Sequence, residues 1–354
     1  MIIDSHAHIF PYLGGKCGYG SVDEHLLVCQ KAMHEHLSQP PRRIKDNVII
    51  KEKKLWDPRD PSFKGRKNVN FRVGQFGRFE WTQDGVDCYI QYLPPTLRDM
   101  TCPPDLLKAM MDYVGIDMAV LQCGDVYGKL NYYYAMVLDE HPELANVFIP
   151  LARVNETEAY KDEQIKRLRH VIEDLGLKGL WFAANNTSFG PNYRIFWDEV
   201  RELKIPVFLA FYPEKEAWVA SLKSLEKWIE LYSDIPCVLP QAFPLSTIRY
   251  DDELIIPDFA EKIIKEGNFY LELTYPIARG GIEDYPFPIS RKAVQKLYDT
   301  FGAEKLVWGS DVPMVERYCT YSQSLKYLRD YCEFISPNEM ELILGKNLAK
   351  VFNL

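Results

Sequence analysis

No stretch of the 354-residue chain approaches eighteen consecutive apolar residues, so a membrane-spanning helix is not expected. Basic runs are absent too. No five or six lysines or arginines stand together and the net charge is −8, which leaves no electrostatic footprint for nucleic acid or an anionic membrane. Eight cysteines are few for this length, and none fall in C-x-x-C or zinc-ribbon spacing, which argues against a disulfide scaffold and for buried, reduced thiols. Cys123 follows a predicted strand but has no histidine nearby in sequence, so a catalytic thiol is the minor reading there. The N-terminal residues show no basic segment followed by an apolar core and a small-residue cleavage site. The expectation is a soluble, cytoplasmic protein whose partner is a small molecule.

What the chain does contain is a regular alternation. From about residue 116 onward, short apolar runs are separated by amphipathic stretches, the pattern of β/α units. The runs are DMAVLQ (117–122), NVFIPLA (146–152), GLKGLWF (176–182), IPVFLAF (205–211), IPCVLPQ (235–241), NFYLELT (268–274) and KLVWGSD (305–311). The opening MIID makes eight. Stretches such as EAYKDEQIKRLRHVIEDLG and AWVASLKSLEKWIELY are long enough to cross back over a sheet. Eight strands with intervening helices predict a (β/α)8 barrel of the α/β class. A doubly wound sheet is the alternative, but the Gly-rich turn it usually shows after strand 1 is missing from IIDSHAHI.

Residues 1–354 then read as one barrel domain, interrupted by an insertion over about residues 12–105. The Asp84-Gly85 pair inside it suits a tight hairpin turn. Placed after strand 1, the insertion would sit over the C-terminal mouth of the barrel, where catalytic loops gather. A lid, a structural cap and an oligomer contact all fit that position, and its aromatic content makes a homodimer possible.

The candidate chemistry lies at the strand ends. His6 and His8 stand two apart at the end of strand 1, so by strict alternation they share a face. A second H-x-H, His34 and His36, falls in a helical pattern where residues two apart diverge, and reads as a solvated helix surface. Asp311 ends strand 8, which barrel closure makes the neighbour of strand 1. Two imidazoles and a carboxylate suit one divalent ion, zinc or manganese, able to polarise a carbonyl and lower the pKa of bound water. Taken singly, the histidines could be hydrogen-bonded structural residues and Asp311 a turn carboxylate.

The segments IIDSHAHIF, KLVWGSDVP and EMELILGKNLAKVF resemble the amidohydrolase-related family typified by aminocarboxymuconate semialdehyde decarboxylase, which also includes aromatic-acid decarboxylases and dicarboxylate lactonases. The resemblance runs over nearly the whole chain and implies a (β/α)8 barrel with a mononuclear metal. It also implies a metal-ligating histidine after strand 5 and a catalytic one after strand 6. Here the matching positions hold Ala210 and Gln241, and neither His141 nor His170 is placed to replace them. Glu214 and Glu272 are the candidate substitute ligands.

Such a reduced site favours hydrolysis of an ester, lactone or amide over decarboxylation, with Asp311 as general base and His6 and His8 as ligands or carbonyl polarisers. The expected substrate is a small cyclic or aromatic carboxylate. Arg153, ending strand 3, is the best-placed cation to bind it, and Arg279 follows strand 7. Trp181, Tyr212 and Gln241 complete the expected binding wall. A metal-dependent decarboxylase of an aromatic or muconate-like acid is the rival reading. A barrel that has lost catalysis and only binds a ligand or partner is the third.

Overall fold

Each of the eight predicted strands is present. The computed structural model describes residues 1–36, 38–60, 62–211, 215–240, 249–250, 253–274 and 283–354. The barrel strands are β1 (Ile3–Ala7), β2 (Met118–Leu121), β3 (Phe148–Ala152), β4 (Gly179–Ala184), β5 (Val207–Phe211), β6 (Cys237–Leu239), β7 (Phe269–Leu273) and β8 (Leu306–Trp308). Neighbours in that order pair in parallel from β1 through to β8. The ring closes where Ala7 bridges Val312. There the His8 N–H donates to the Val312 carbonyl at 2.9 Å and the Asp311 N–H donates to the His6 carbonyl at 2.8 Å. This is a (β/α)8 barrel, with helices such as Asp162–Glu173 and Pro288–Phe301 crossing back between consecutive strands.

Alternation along the strands decides what fills the ring. Ile3, Val120, Ile149, Leu151, Phe208, Val238, Tyr270 and Val307 point into it and form one buried cluster with Leu348 and Val351 of the terminal helix Asn347–Phe352. That helix therefore plugs the end of the barrel where the strands begin. Two residues further along the same faces, Val120 gives way to Gln122, Tyr270 to Glu272 and Val307 to Gly309. The interior turns from apolar to polar within one layer, and the polar layer is the floor of the candidate site. The outward faces pack on the helices, as where Phe182 of β4 meets Phe196 and Trp197.

Between β1 and β2 the chain builds the insertion. It contains the helix Val22–Glu35 and a four-stranded antiparallel sheet (Arg42–Arg43, Arg72–Val73, Arg78–Gln83 and Val86–Gln91), and the helix Pro104–Val114 follows it and leads into β2. The hairpin turn is where the sequence placed it: Asp84 and Gly85 both take positive φ, 51° and 73°, matching a type I′ turn between the two longer strands. One expectation for this region needs correction. His34 and His36 do not lie on a fully solvated helix surface: both are half-buried, and His36, just past the helix end, lies edge-on to Tyr92 with ring centroids 5.5 Å apart.

Candidate active site

The site is assembled from the two ends of the chain. Asp4, fully buried, accepts hydrogen bonds from the His6 N–H, the Ser310 N–H and hydroxyl, and the Tyr321 hydroxyl. Burial pushes its carboxyl up to about 6 in spite of those donors. This carboxylate locks the start of β1 to the turn leaving β8. The pairing of β1 is irregular between Asp4 and Ala7, so strict alternation fails there. Ser5 and His6 both reach Glu272, while the His6 and His8 rings still converge, with centroids 4.9 Å apart.

His6, His8 and Asp311 form the one group of metal-compatible side chains found among the described residues, with ligand atoms within 4.8 Å of one another. His8 Nε2 lies 3.0 Å and His6 Nε2 3.6 Å from Asp311 Oδ1. The other nitrogen of each ring is already committed. His8 Nδ1 is 2.9 Å from the Gln122 carbonyl, and His6 Nδ1 is 2.7 Å from Glu272 Oε1. A carbonyl only accepts, so His8 carries its proton on Nδ1 and turns the Nε2 lone pair toward the Asp311 carboxylate. Two lone pairs at that distance need a proton or a cation between them. The donor set, two oriented imidazole nitrogens and one carboxylate oxygen, fits a divalent cation.

The electrostatics agree with that geometry. Burial alone would lower His6, but the charges of Glu272 and Asp311 and the hydrogen bond to Glu272 lift it to about 9. Burial alone would raise Asp311, but the charge on His6 and the neighbouring His8 hold it below the usual carboxylate range. Asp311 also has φ of 64°, a left-handed conformation that Asp tolerates better than most residues, and this aims its carboxylate back across the seam.

Glu272 serves this cluster differently from the expectation. Rather than standing beside His8 and Asp311 as a third-strand ligand, it orients His6: Oε1 takes the imidazole proton, while Oε2 accepts from the Ser5 hydroxyl and the Gln122 amide, both at 2.9 Å. Gly309 makes room for this arrangement. A Cβ there would stand 2.5 Å from Ser5 Oγ, 3.0 Å from His6 Cβ and 3.1 Å from Glu272 Cδ. Glu272→Gln keeps the shape but withdraws the charge that holds His6. It is expected to weaken metal binding by about 10–100-fold, read by competition against a chromogenic chelator, with the unfolding midpoint little changed.

Tyr212, Glu214, Gln241 and Arg279 lie outside the described residues. Ala210 sits on β5, opposite Ala183 of β4. Arg153 is held by Asp125 at 2.7 Å and Glu156 at 2.8 Å, and its guanidinium stacks over Trp181, 4.7 Å from the ring centroid. These residues are not joined to the histidine cluster. Arg153 instead lines a groove of 840 Å³ between the helix Val22–Glu35 and the loops after β2 and β3, and none of His6, His8 and Asp311 lies in that groove's wall. Trp181 packs partly against the barrel interior. Cys123 is buried with its thiol near the Leu151 carbonyl, and burial pushes it up to about 12, which is unsuited to a nucleophile.

Two contributors were not foreseen. Tyr127, in the loop after β2, lies 4.6 Å from the His8 ring and stacks on Phe10 at the same centroid distance. Tyr92, at the end of the insertion's sheet, has its ring 6.3 Å from that of Tyr127, centroid to centroid. The crowding of aromatics around residue 92 was visible in sequence, but nothing local marked which of them reaches the site.

The sequence profile of a family described as amidohydrolase matches residues 3–354. No curated protein matches at the significance required. Among solved structures, a probable 2-pyrone-4,6-dicarboxylic acid hydrolase from Acinetobacter baumannii, with citric acid bound, superposes with a TM-score of 0.57 at 16% identity, covering 100% of this chain and 99% of its own. A dihydroxybenzoic acid decarboxylase from a Polaromonas species, with manganese and the inhibitor 2-nitroresorcinol bound, gives 0.52 at 14% identity, covering 72% of this chain and 87% of its own. An amidohydrolase from Burkholderia multivorans with bound zinc gives 0.56 at 14% identity, over 72% of this chain and 90% of its own. At these identities the likeness is one of fold.

Proposed function

The chain belongs to the amidohydrolase family, and from that premise we propose that it is a hydrolase opening an ester, lactone or amide of a small cyclic or aromatic carboxylate. The observation that supports this most is the convergence of His6, His8 and Asp311 across the barrel seam, each held by its own partner. Both histidine contacts fall on Asp311 Oδ1, which leaves Oδ2 to take a proton. A zinc or manganese ion held by His6, His8 and Asp311 would supply Lewis-acid polarisation of the substrate carbonyl.

In this reading the Asp311 carboxylate removes a proton from water as the water oxygen bonds to the carbonyl carbon. The bond to the leaving oxygen or nitrogen then breaks, and the proton returns to that leaving atom. Glu272 and the Gln122 carbonyl keep the imidazoles in the required tautomers throughout. Water and substrate reach the cluster at the end of the barrel opposite the plug formed by the terminal helix.

A second reading, decarboxylation, is kept by the likeness to the manganese-bound decarboxylase. One experiment separates the two. Metal-supplemented protein is incubated with a panel of aromatic acids, pyrone dicarboxylates and their esters, and each product is analysed for carbon dioxide by a coupled bicarbonate assay and for a newly formed acid by chromatography. Hydrolysis is expected to give a new carboxylic acid without carbon dioxide. Carbon dioxide release with loss of a carboxylate would replace the hydrolase with the lyase, and binding without conversion of any compound would leave a barrel that only binds.

A further inference from the structure

Gln122, the residue that follows β2, directs its hydrogen-bonding groups two ways. Its main-chain N–H donates to the Ala7 carbonyl at 3.0 Å, and its carbonyl accepts from His8 Nδ1 and from the Tyr134 hydroxyl, both at 2.9 Å. Its carboxamide turns into the barrel. There Nε2 donates to the Ser5 carbonyl at 2.8 Å and to Glu272 Oε2 at 2.9 Å, on the carboxylate whose other oxygen holds His6. One residue thus reaches both imidazoles.

The irregularity in β1 explains why the carboxamide is needed. Asp4 pairs with Ala119 and Ala7 with Leu121, so Ser5 and His6 together face Val120 alone. Two residues against one make a β-bulge, a device that re-aims a side chain beside a site. The bulge brings Ser5 and His6 to the same carboxylate, and the Gln122 carboxamide ties the bulge's main chain to it. Chemistry fixes which way the amide points. The Ser5 carbonyl and the Glu272 carboxylate both accept, so turning the group round would set oxygen against oxygen twice. Its other end is left unmet: Gln122 is fully buried, and its Oε1 finds no donor among the described residues. An apolar side chain of similar size would fill this layer without burying an unmet acceptor, so packing does not account for a glutamine here. Its two donated bonds do.

We propose that Gln122 is the shared positioning residue of the two histidines, acting on His8 through its carbonyl and on His6 through Glu272 and the bulge, a role that rests on the reading of His6, His8 and Asp311 as a metal site. Without the carboxamide, the Glu272 carboxylate keeps only Ser5 and His6 as donors and the bulge loses its tie, so His6 Nε2 loses its aim. His8 keeps its own. Its acceptor is main chain, which a substitution at residue 122 leaves in place, and the Tyr134 hydroxyl anchors that carbonyl from the helix Asn131–Glu140.

The test is the zinc affinity of the full chain, read by competition against a chromogenic chelator, in a double-mutant cycle. Gln122→Met keeps the length of the side chain without its donors and is expected to weaken zinc binding about tenfold. Added to Glu272→Gln, it is expected to weaken binding by less than about twofold further, because both changes act along one chain of contacts, whereas two unrelated losses of packing would multiply. Gln122→Asn, whose donors fall one methylene short, is expected to match the Met variant and replaces it should that variant fail to fold. Unchanged zinc affinity in Gln122→Met, or losses that multiply across the cycle, overturns the role of Gln122 and leaves the metal site standing. Wild-type protein that takes up no zinc overturns the metal reading and the role of Gln122 with it. The readout is binding, so a substrate panel that yields no hydrolysis overturns the hydrolase reading alone.

Discussion

Asp311→Asn is expected to abolish measurable turnover, a loss of at least about a hundredfold to ten-thousandfold in kcat, while the protein remains folded. The substitution separates chemistry from architecture at this position. Asparagine is nearly isosteric and is, with aspartate, among the few residues that accept the left-handed backbone found here at φ 64°. The backbone bonds that close the seam at residues 311 and 312 are therefore kept. What disappears is the negative charge that His6 and His8 face and the oxygen able to take a proton from water. Alanine would add backbone strain, and a loss of activity there could not be assigned. The measurement pairs kcat and KM on a substrate from the panel with the urea-unfolding midpoint. An Asn variant that turns over at the wild-type rate removes Asp311 from the role of base.

The second large effect concerns metal. Protein expressed in metal-supplemented medium is expected to carry about one equivalent of zinc or manganese by elemental analysis, and the His6→Ala, His8→Ala double variant none. Zinc-site affinity should also follow pH in a defined direction. With no metal bound, Glu272 and Asp311 hold His6 up to about 9, so at neutral pH the ring is protonated and an entering cation must displace that proton. Apparent affinity should then rise by about tenfold per pH unit from about pH 7 and flatten near pH 9, the sign following from a ligand whose pKa is raised. Metal absent from wild type and variant alike would leave the two imidazoles as hydrogen-bonding polarisers of the carbonyl and Asp311 acting without a metal.

Much of this architecture was legible in the order of residues. Short apolar runs and their spacing gave the eight strands, and barrel closure alone put His6, His8 and Asp311 at one seam. The Asp84-Gly85 turn was readable because positive φ restricts residue choice so strongly. Less was legible where function depends on contacts between distant segments. Glu272 stands out in the sequence as a candidate substitute ligand, but a sequence cannot tell a ligand from the carboxylate behind a ligand, since both point inward from a strand end. Its pairing with Ser5 follows from an irregular register in β1 that no local pattern signals. Arg153 carried a hint of its restraint in the acid three residues on, Glu156. Tyr127 reaches His8 from a loop, where side-chain direction is set by packing rather than by period. The second H-x-H was misread for the same reason, since its burial comes from the insertion folding over the helix end.

The placement of the cluster has a consequence for how the chain folds. His8 and Asp311 are 303 positions apart in sequence, and their contact exists only once the last strand has docked beside the first. A cation held there acts as a noncovalent cross-link over most of the polypeptide, drawing together two ends whose encounter is entropically among the most costly in the molecule. Capture of metal should then report completion of the ring, late in folding and all at once, and a chain shortened before β8 should hold no partial site. Stripping the ion would release the seam first, ahead of the strands on the far side of the barrel.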